Sequence, residues 1–332
     1  MLLTHPPQTD PVEVMARDRR SFPRAARSGL YILLVLATAV SAGGYGLRKY
    51  GIFSCSASGY ASDGYLGYCG ATSYGDYDHG AFWYGLEPAA NAAAAKARVL
   101  FVGNSRTVFA FSGKATVDWF SSLSETYYLL GFTHFENYTF EAPLLRKLQP
   151  QAKVFVINID SFFDQTETGP GKTVMEDESA RGRYGQKRQW QAIHKLICTR
   201  FKAACANDWG IFRSRSTGAW RVSGGHFVGE PVSYDNTVDP KVVASYTALG
   251  KEFLPTLPTT RACTILTIVP AVKTGIGNAE AVAAALGLNL VAPRLAGLST
   301  FDHIHLDQES AERWSAAFLE DAGPQIKKCL SE

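Results

Sequence analysis

The chain has 332 residues, 46% of them hydrophobic and 19% charged, enough to bury a sizeable core and too apolar for a disordered polymer. Its net charge of +3 is too small to argue for a nucleic-acid partner. No C-x-x-C pair occurs among the six cysteines, which disfavours structural zinc.

Residues 1–28 form a polar tail carrying Arg17, Arg19, Arg20, Arg24 and Arg27, and Gly29 to Leu47 follows without a charge. At about 1.5 Å per helical residue that run crosses most of a bilayer. Arginines ahead of an apolar span predict a cytoplasmic N-terminus and an exported remainder. A cleaved signal peptide, with Val40-Ser41-Ala42 at the cleavage site, is the competing reading. The long leader and long apolar run favour an uncleaved anchor in the inner membrane, with the remainder periplasmic. In an exported chain an even cysteine count predicts disulfides. Cys55 with Cys69 and Cys198 with Cys205 are sequence-local pairs, which leaves Cys263 with Cys329.

Residues 48–95 read as a linker and surface segment. Over 51–86 the chain is rich in Gly, Ser and Tyr and shows no helical or strand period. Asp76-Tyr77-Asp78-His79 has the residue types of a metal loop, but without supporting ligand spacing it reads as a solvated turn, and no metal or cofactor is expected. Pro88 to Ala97 is alanine-rich and helix-prone.

From residue 96 the pattern alternates. Val99 to Val102 is a short, continuous apolar run, a strand buried on both faces, broken by Gly103-Asn104 ahead of Ser105. Thr126 to Leu130 is a second strand ending at Gly131, and Phe135 to Leu148 has helical spacing. Lys153 to Ile159 is the clearest strand; Asp239 to Leu254 is helical, with Pro240 in its first turn. Cys263 to Val269 is a fourth strand stopped by Pro270; residues 278–286 are helical, Leu288 to Val291 is a weak fifth strand, and 308–321 is helical. Strands separated by helices predict an α/β/α three-layer domain around a parallel sheet of about five strands, assembled from 96–164 and 237–332. Between them, 165–236 breaks the alternation as an insert or cap. Following the third strand, it should project from the sheet's C-terminal edge, where open α/β sheets place ligands. Its basic residues and Trp190, Trp209 and Trp220 suit an anionic or sugar substrate, or equally a solvated surface with a small core of its own.

A serine at the strand-to-helix turn projects from that same edge. Late in the chain stands Phe301-Asp302-His303-Ile304-His305-Leu306-Asp307. A carboxylate three residues before a histidine can brace its imidazole while the other ring nitrogen faces a nucleophile. Strand–Gly-Asn-Ser-Arg early and Asp-x-x-His-Leu late together resemble the SGNH (GDSL-like) hydrolase superfamily over about residues 97–320, and most closely its periplasmic branch of polysaccharide O-acyltransferases and esterases. The resemblance implies Ser105 as nucleophile, His305 as base and later acid, and Asp302 as orienter, with His303 a structural neighbour. It implies an oxyanion hole from the Ser105 N–H, Gly131 and Asn158. The family shows Gly-x-Asn-Asp at the third block, where this chain has Ile157-Asn158-Ile159-Asp160. A one-residue shift in a strand points Asn158 to the opposite face, and Asp160 would repel an oxyanion unless it is bonded elsewhere.

The expectation is a membrane-anchored serine O-acyltransferase or esterase acting on a cell-surface polysaccharide or acylated sugar. By the resemblance, a multipass membrane acyltransferase partner supplies the acyl group. Transfer and hydrolysis use the same three residues and remain open. The alternative is a catalytically weak scaffold of the same fold that binds polysaccharide in an envelope assembly. A phosphate-handling turn is a poor third, for lack of G-x-x-x-x-G-K-[ST].

Overall fold

A computed structural model describes residues 24–70 and 74–332, so most of the arginine-bearing tail lies outside the described residues. The chain divides into two compact units, Met1–Gly46 and Leu47–Glu332. The described part of the first lies in α1 (Arg24–Lys49), within which Ser28–Lys49 contains an 18-residue window of mean hydropathy 1.8 and is long enough to span a membrane. Leu30 to Leu36 are all exposed on it, as a helix meant for lipid rather than for a protein core would have them.

In the second unit, the described residues of 51–86 are not irregular. They contain β1 (Gly64–Cys69), β2 (Gly75–Asp76) and α2 (Asp78–Trp83), with Tyr65 and Tyr77 fully buried. The partner that orders them is distant in sequence. After α3 (Pro88–Lys96) come β3 (Val99–Asn104), α4 (Ser105–Phe111), α5 (Lys114–Leu123), β4 (Tyr127–Phe132), α6 (Tyr138–Leu148) and β5 (Val154–Asn158). Residues 165–236 then supply α7 (Gly169–Glu176), α8 (Ala180–Arg200), β6 (Gly210–Ser214), β7 (Trp220–Ser223) and the short β8 (Tyr234–Asp235). Strand β6 lies antiparallel to β1, giving a four-stranded sheet β2-β1-β6-β7. The chain closes with α9 (Pro240–Phe253), β9 (Thr264–Thr267), β10 (Thr274–Gly275), α10 (Ile276–Leu286), β11 (Asn289–Leu290) and α11 (Gln308–Ser331).

The main sheet is parallel, five-stranded and ordered β11-β9-β5-β3-β4. Its strands read as continuous apolar runs because each face has its own core. Leu100, Val102, Phe155 and Ile157 point into one, with Phe140 of α6, Phe253 of α9 and Leu286 of α10. The residues between them, Val99, Phe101, Val154 and Val156, point into the other, with Phe111 of α4, Phe120 of α5 and Trp314 and Phe318 of α11. This is the three-layer α/β/α arrangement expected from the alternation. Helix α11 runs ten residues past 321, through Pro324, because Ala322, Ile326, Cys329 and Leu330 continue its buried stripe.

Strand β4 is an edge of this sheet, and the insert closes it. Leu129 N–H donates to Thr217 O at 2.9 Å, and the guanidinium of Arg213 takes the carbonyls of Leu129 and Gly131, the latter at 3.1 Å. The outward polar groups of an exposed strand are thereby paired within the chain. All three expected disulfides are present: Cys55–Cys69, Cys198–Cys205 and Cys263–Cys329.

Candidate active site

Strand β3 ends in a turn that only glycine can make comfortably. Gly103 has φ +148°, and a Cβ there would lie 2.5 Å from Thr107 Oγ1. Asn104 then caps α4, its Oδ1 accepting the Arg106 N–H at 3.0 Å, so Ser105 is the first residue of the helix at the C-terminal edge of the sheet. Opposite it, the segment 300–307 folds back on itself through a Thr300–Leu306 bridge and a 2.9 Å bond from Phe301 N–H to His305 O.

These two turns bring three side chains into line. His305 Nε2 lies 2.7 Å from Ser105 Oγ, and His305 Nδ1 lies 2.7 Å from Asp302 Oδ2. The other carboxylate oxygen, Oδ1, accepts the backbone N–H groups of His305 at 2.8 Å and Ile304 at 3.2 Å, which fixes the carboxylate against the ring. Burial pushes the Asp302 carboxyl up, but its bonds to the His305 ring and to these N–H groups outweigh this and hold it below the ordinary carboxylate range. A charged Asp302 accepts Nδ1–H, and this tautomer leaves Nε2 free to accept the Ser105 hydroxyl proton. Phe301 stacks on the His305 ring at 5.6 Å and Phe109 tilts against it at 4.6 Å, limiting its rotation. His303 points elsewhere, with Nδ1 3.2 Å from Glu230 and more than half of its side chain exposed.

The two other residues assigned to an oxyanion hole are not beside Ser105 in the same way. Asn158 is fully buried, its Oδ1 accepting Val269 N–H at 3.1 Å and its Nδ2 3.4 Å from Asn104 Oδ1. Its amide ties β5 to its neighbours and lines no cavity at the serine. Gly131 lies within β4 opposite Gly103, also outside the cavity lining; a Cβ there would come within 2.6 Å of Asn104 O. It permits close strand approach beneath the nucleophile turn. Asp160 is paired with Arg106, whose Nη1 lies 2.5 Å from Oδ2.

Ser105 and His305 open into a cavity of about 260 Å³. Tyr68 comes from β1, Trp209 and Phe227 from the insert, and Thr133, His134 and Phe135 from the turn after β4. A second cavity of about 510 Å³ shares Phe109, Val222, Phe227 and Phe301 with it and adds the more polar Ser112, Arg221 and Gln308 beside Trp220. The turn 133–135 had no sequence signal, since it falls at the start of a helical-looking run. In it His134 and Phe135 have φ +63° and +53°, and Thr133 Oγ1 is buried without a partner among the described residues.

Behind that turn lies a network that reverses the reading of Asp76–His79 as solvated. His79 is fully buried between Asp76, 2.9 Å from Nδ1, and Glu136, 2.8 Å from Nε2. Burial opposes its charge, but the two carboxylates prevail and raise its pKa to about 10. Asp78 pairs with Arg213 at 2.7 Å and accepts the Tyr65 hydroxyl at 2.6 Å. Among the described residues, no group of three or more His, Cys, Asp or Glu is arranged to hold a metal ion. No family model, no curated protein and no solved structure matches this chain.

Proposed function

We propose that this chain is a membrane-anchored, extracytoplasmic serine O-acyltransferase or esterase of SGNH type, modifying a cell-surface polysaccharide through an acyl-serine intermediate. The observation that carries the reading is the unbroken hydrogen-bond chain Ser105–His305–Asp302 at the C-terminal edge of a parallel sheet. His305 Nε2 takes the Ser105 proton as Oγ attacks the ester carbonyl. The tetrahedral intermediate collapses with loss of the alcohol, which leaves protonated by the same imidazole. Acyl-Ser105 then passes the acyl group to a sugar hydroxyl or to water, His305 again acting first as base and then as acid. Asp302 remains ionised throughout and supports the imidazolium.

The two adjoining cavities suit the two halves of such a substrate. The smaller, mainly aromatic one at Ser105 fits a short acyl group, and the larger one, with Trp220 beside Arg221 and Gln308, fits a sugar. Charge on the oxyanion falls to the Ser105 N–H and the 133–135 turn, in place of the Asn158 amide. The apolar span and the three disulfides support an extracytoplasmic domain. A multipass membrane protein as acyl donor belongs to the same proposal.

The scaffold reading draws on one observation, the occupied Asn158 amide. A fluorophosphonate probe separates the two. Covalent labelling of wild type at Ser105, absent in Ser105→Ala, is expected for the enzyme. A folded wild-type chain that takes up no probe and hydrolyses no short-chain ester favours the scaffold.

A further inference from the structure

Beyond Lys49, nine large apolar side chains among the described residues are exposed: Tyr50, Ile52, Val117, Phe135, Ile193, Leu196, Phe201, Val228 and Val238. Five of the nine come from two segments that pack on each other. Phe53 O accepts the Ala206 N–H at 3.0 Å, and His194 Nε2 lies 3.1 Å from both Ser54 O and Cys55 O. Phe53 joins Cys198 and Cys205 in a small core, against which Leu47 and Ile197 pack. Tyr50 and Ile52 therefore lie alongside the C-terminal half of α8 and the loop that follows it.

On that half-helix, Ile193 (51% exposed) and Leu196 (65%) are three residues apart and share a face, and the disulfide-closed loop 198–205 presents Phe201 (65%). From Ser179 to Asn207 there are seven basic residues and no acidic one. Arg200 and Lys202 flank Phe201 in sequence, Arg188 and Lys195 lie on the same helix with Lys195 Nζ 5.6 Å over the Tyr60 ring, and none of the four forms an ion pair with a described residue. Exposed Leu, Ile and Phe accompanied by Lys and Arg form the composition of a surface that enters a headgroup layer rather than a protein interface, whose centre loses charge. The apolar span ends at Lys49, and Leu47 packs on the small buried core of Phe53, Cys198 and Cys205.

We propose that the exposed face of α8 and the 198–205 loop dock on the anionic lipid surface of the membrane in which the chain is anchored. Phe201, Leu196 and Ile193 enter the acyl boundary, and Lys195, Arg200 and Lys202 meet lipid phosphates. In sequence, two residues separate the end of the span from Ile52. The inference rests on the anchor being retained.

The test uses the full chain in nanodiscs of phosphatidylglycerol with phosphatidylcholine, carrying p-benzoylphenylalanine in place of Leu196, of Phe201, or of Val117 as control. Val117 lies on α5, against the opposite face of the main sheet. On irradiation, lipid adducts at 196 and 201 are expected at least fivefold above those at 117. K195E/R200E/K202E should lower them severalfold, and discs of pure phosphatidylcholine should do the same for the unaltered basic cluster. Equal yields at all three positions, or adducts in cells to a protein instead of lipid, overturn the proposal. The mass of the purified chain reports separately whether the anchor is retained, so a cleaved signal peptide is distinguished from an anchored chain whose patch does not dock.

Discussion

Ser105, His305 and Asp302 form one hydrogen-bond chain, so under the proposed function their removal should have unequal but non-additive effects. Ser105→Ala and His305→Ala should each lower ester turnover by about 10⁶-fold, with thermal unfolding nearly unchanged. Asp302→Asn retains the ring contact but favours the wrong tautomer, and a loss of about 10⁴-fold is expected. His303→Ala, which removes only an exposed contact to Glu230, should stay within a few-fold of wild type. Severe loss at 303 with little at 305 would reverse the assignment. Gly131→Ala carries a different expectation. Its Cβ would meet Asn104 O at 2.6 Å and Gly103 O at 2.7 Å, both backbone atoms that cannot swing aside. We expect a cost of about 1–3 kcal/mol in urea unfolding together with loss of probe labelling. The three aligned side chains could be read from the sequence because their motifs are local: a strand–Gly-Asn-Ser turn, and a carboxylate three residues before a histidine. Arg213 could not, since it is one more basic residue in a basic insert. Only the fold reveals that it is fully buried on Asp78 and the β4 carbonyls.

At the level of elements, the main sheet was legible and the small one was not, for a physical reason. Parallel strands buried on both faces appear as apolar runs, whatever lies beside them. Strand β1, Gly-Tyr-Leu-Gly-Tyr-Cys, has no such run, and its partner β6 begins about 140 residues later. The network behind the 133–135 turn gives this region a pH signature. The His79 pKa stands at about 10 against 6.5 for the free side chain, so its contribution to stability is complete below pH 6.5 and fades as pH rises toward 10. Asp76 runs the other way: burial pushes its carboxyl up, but His79, Lys187 and Tyr184 outweigh this and lower it, so its contribution is present above 3.8 and lost in acid. Urea midpoints should therefore be highest between about pH 4 and 6.5 and decline from 6.5 to 10, with the alkaline decline flattened in His79→Gln. An equally steep decline in that variant would remove His79 as its cause. Among the disulfides, Cys263–Cys329 spans 66 residues, against 14 and 7 for the others. Loop-closure entropy then predicts that C263S/C329S lowers stability most, by about 4 kcal/mol in urea unfolding.

For the whole molecule, an alkaline phosphatase fused after Glu332 should be active, since arginines precede the span and disulfides follow it. An inactive fusion, with a cytoplasmic reporter active in its place, would reverse the orientation. The separation of nucleophile and base along the chain has a consequence for when chemistry can begin. Ser105 and His305 stand 200 residues apart, and the base follows the last strand of the sheet. On the proposed reading, a nascent polypeptide therefore carries an inert hydroxyl through most of its synthesis. Helix α11, which follows directly on the histidine loop and is tied to β9's leading end by the Cys263–Cys329 bond, must seat before the imidazole is held in place. Under the proposed function, competence thus arrives last, and a chain terminated before residue 305 has every strand of the main sheet and no histidine for its serine.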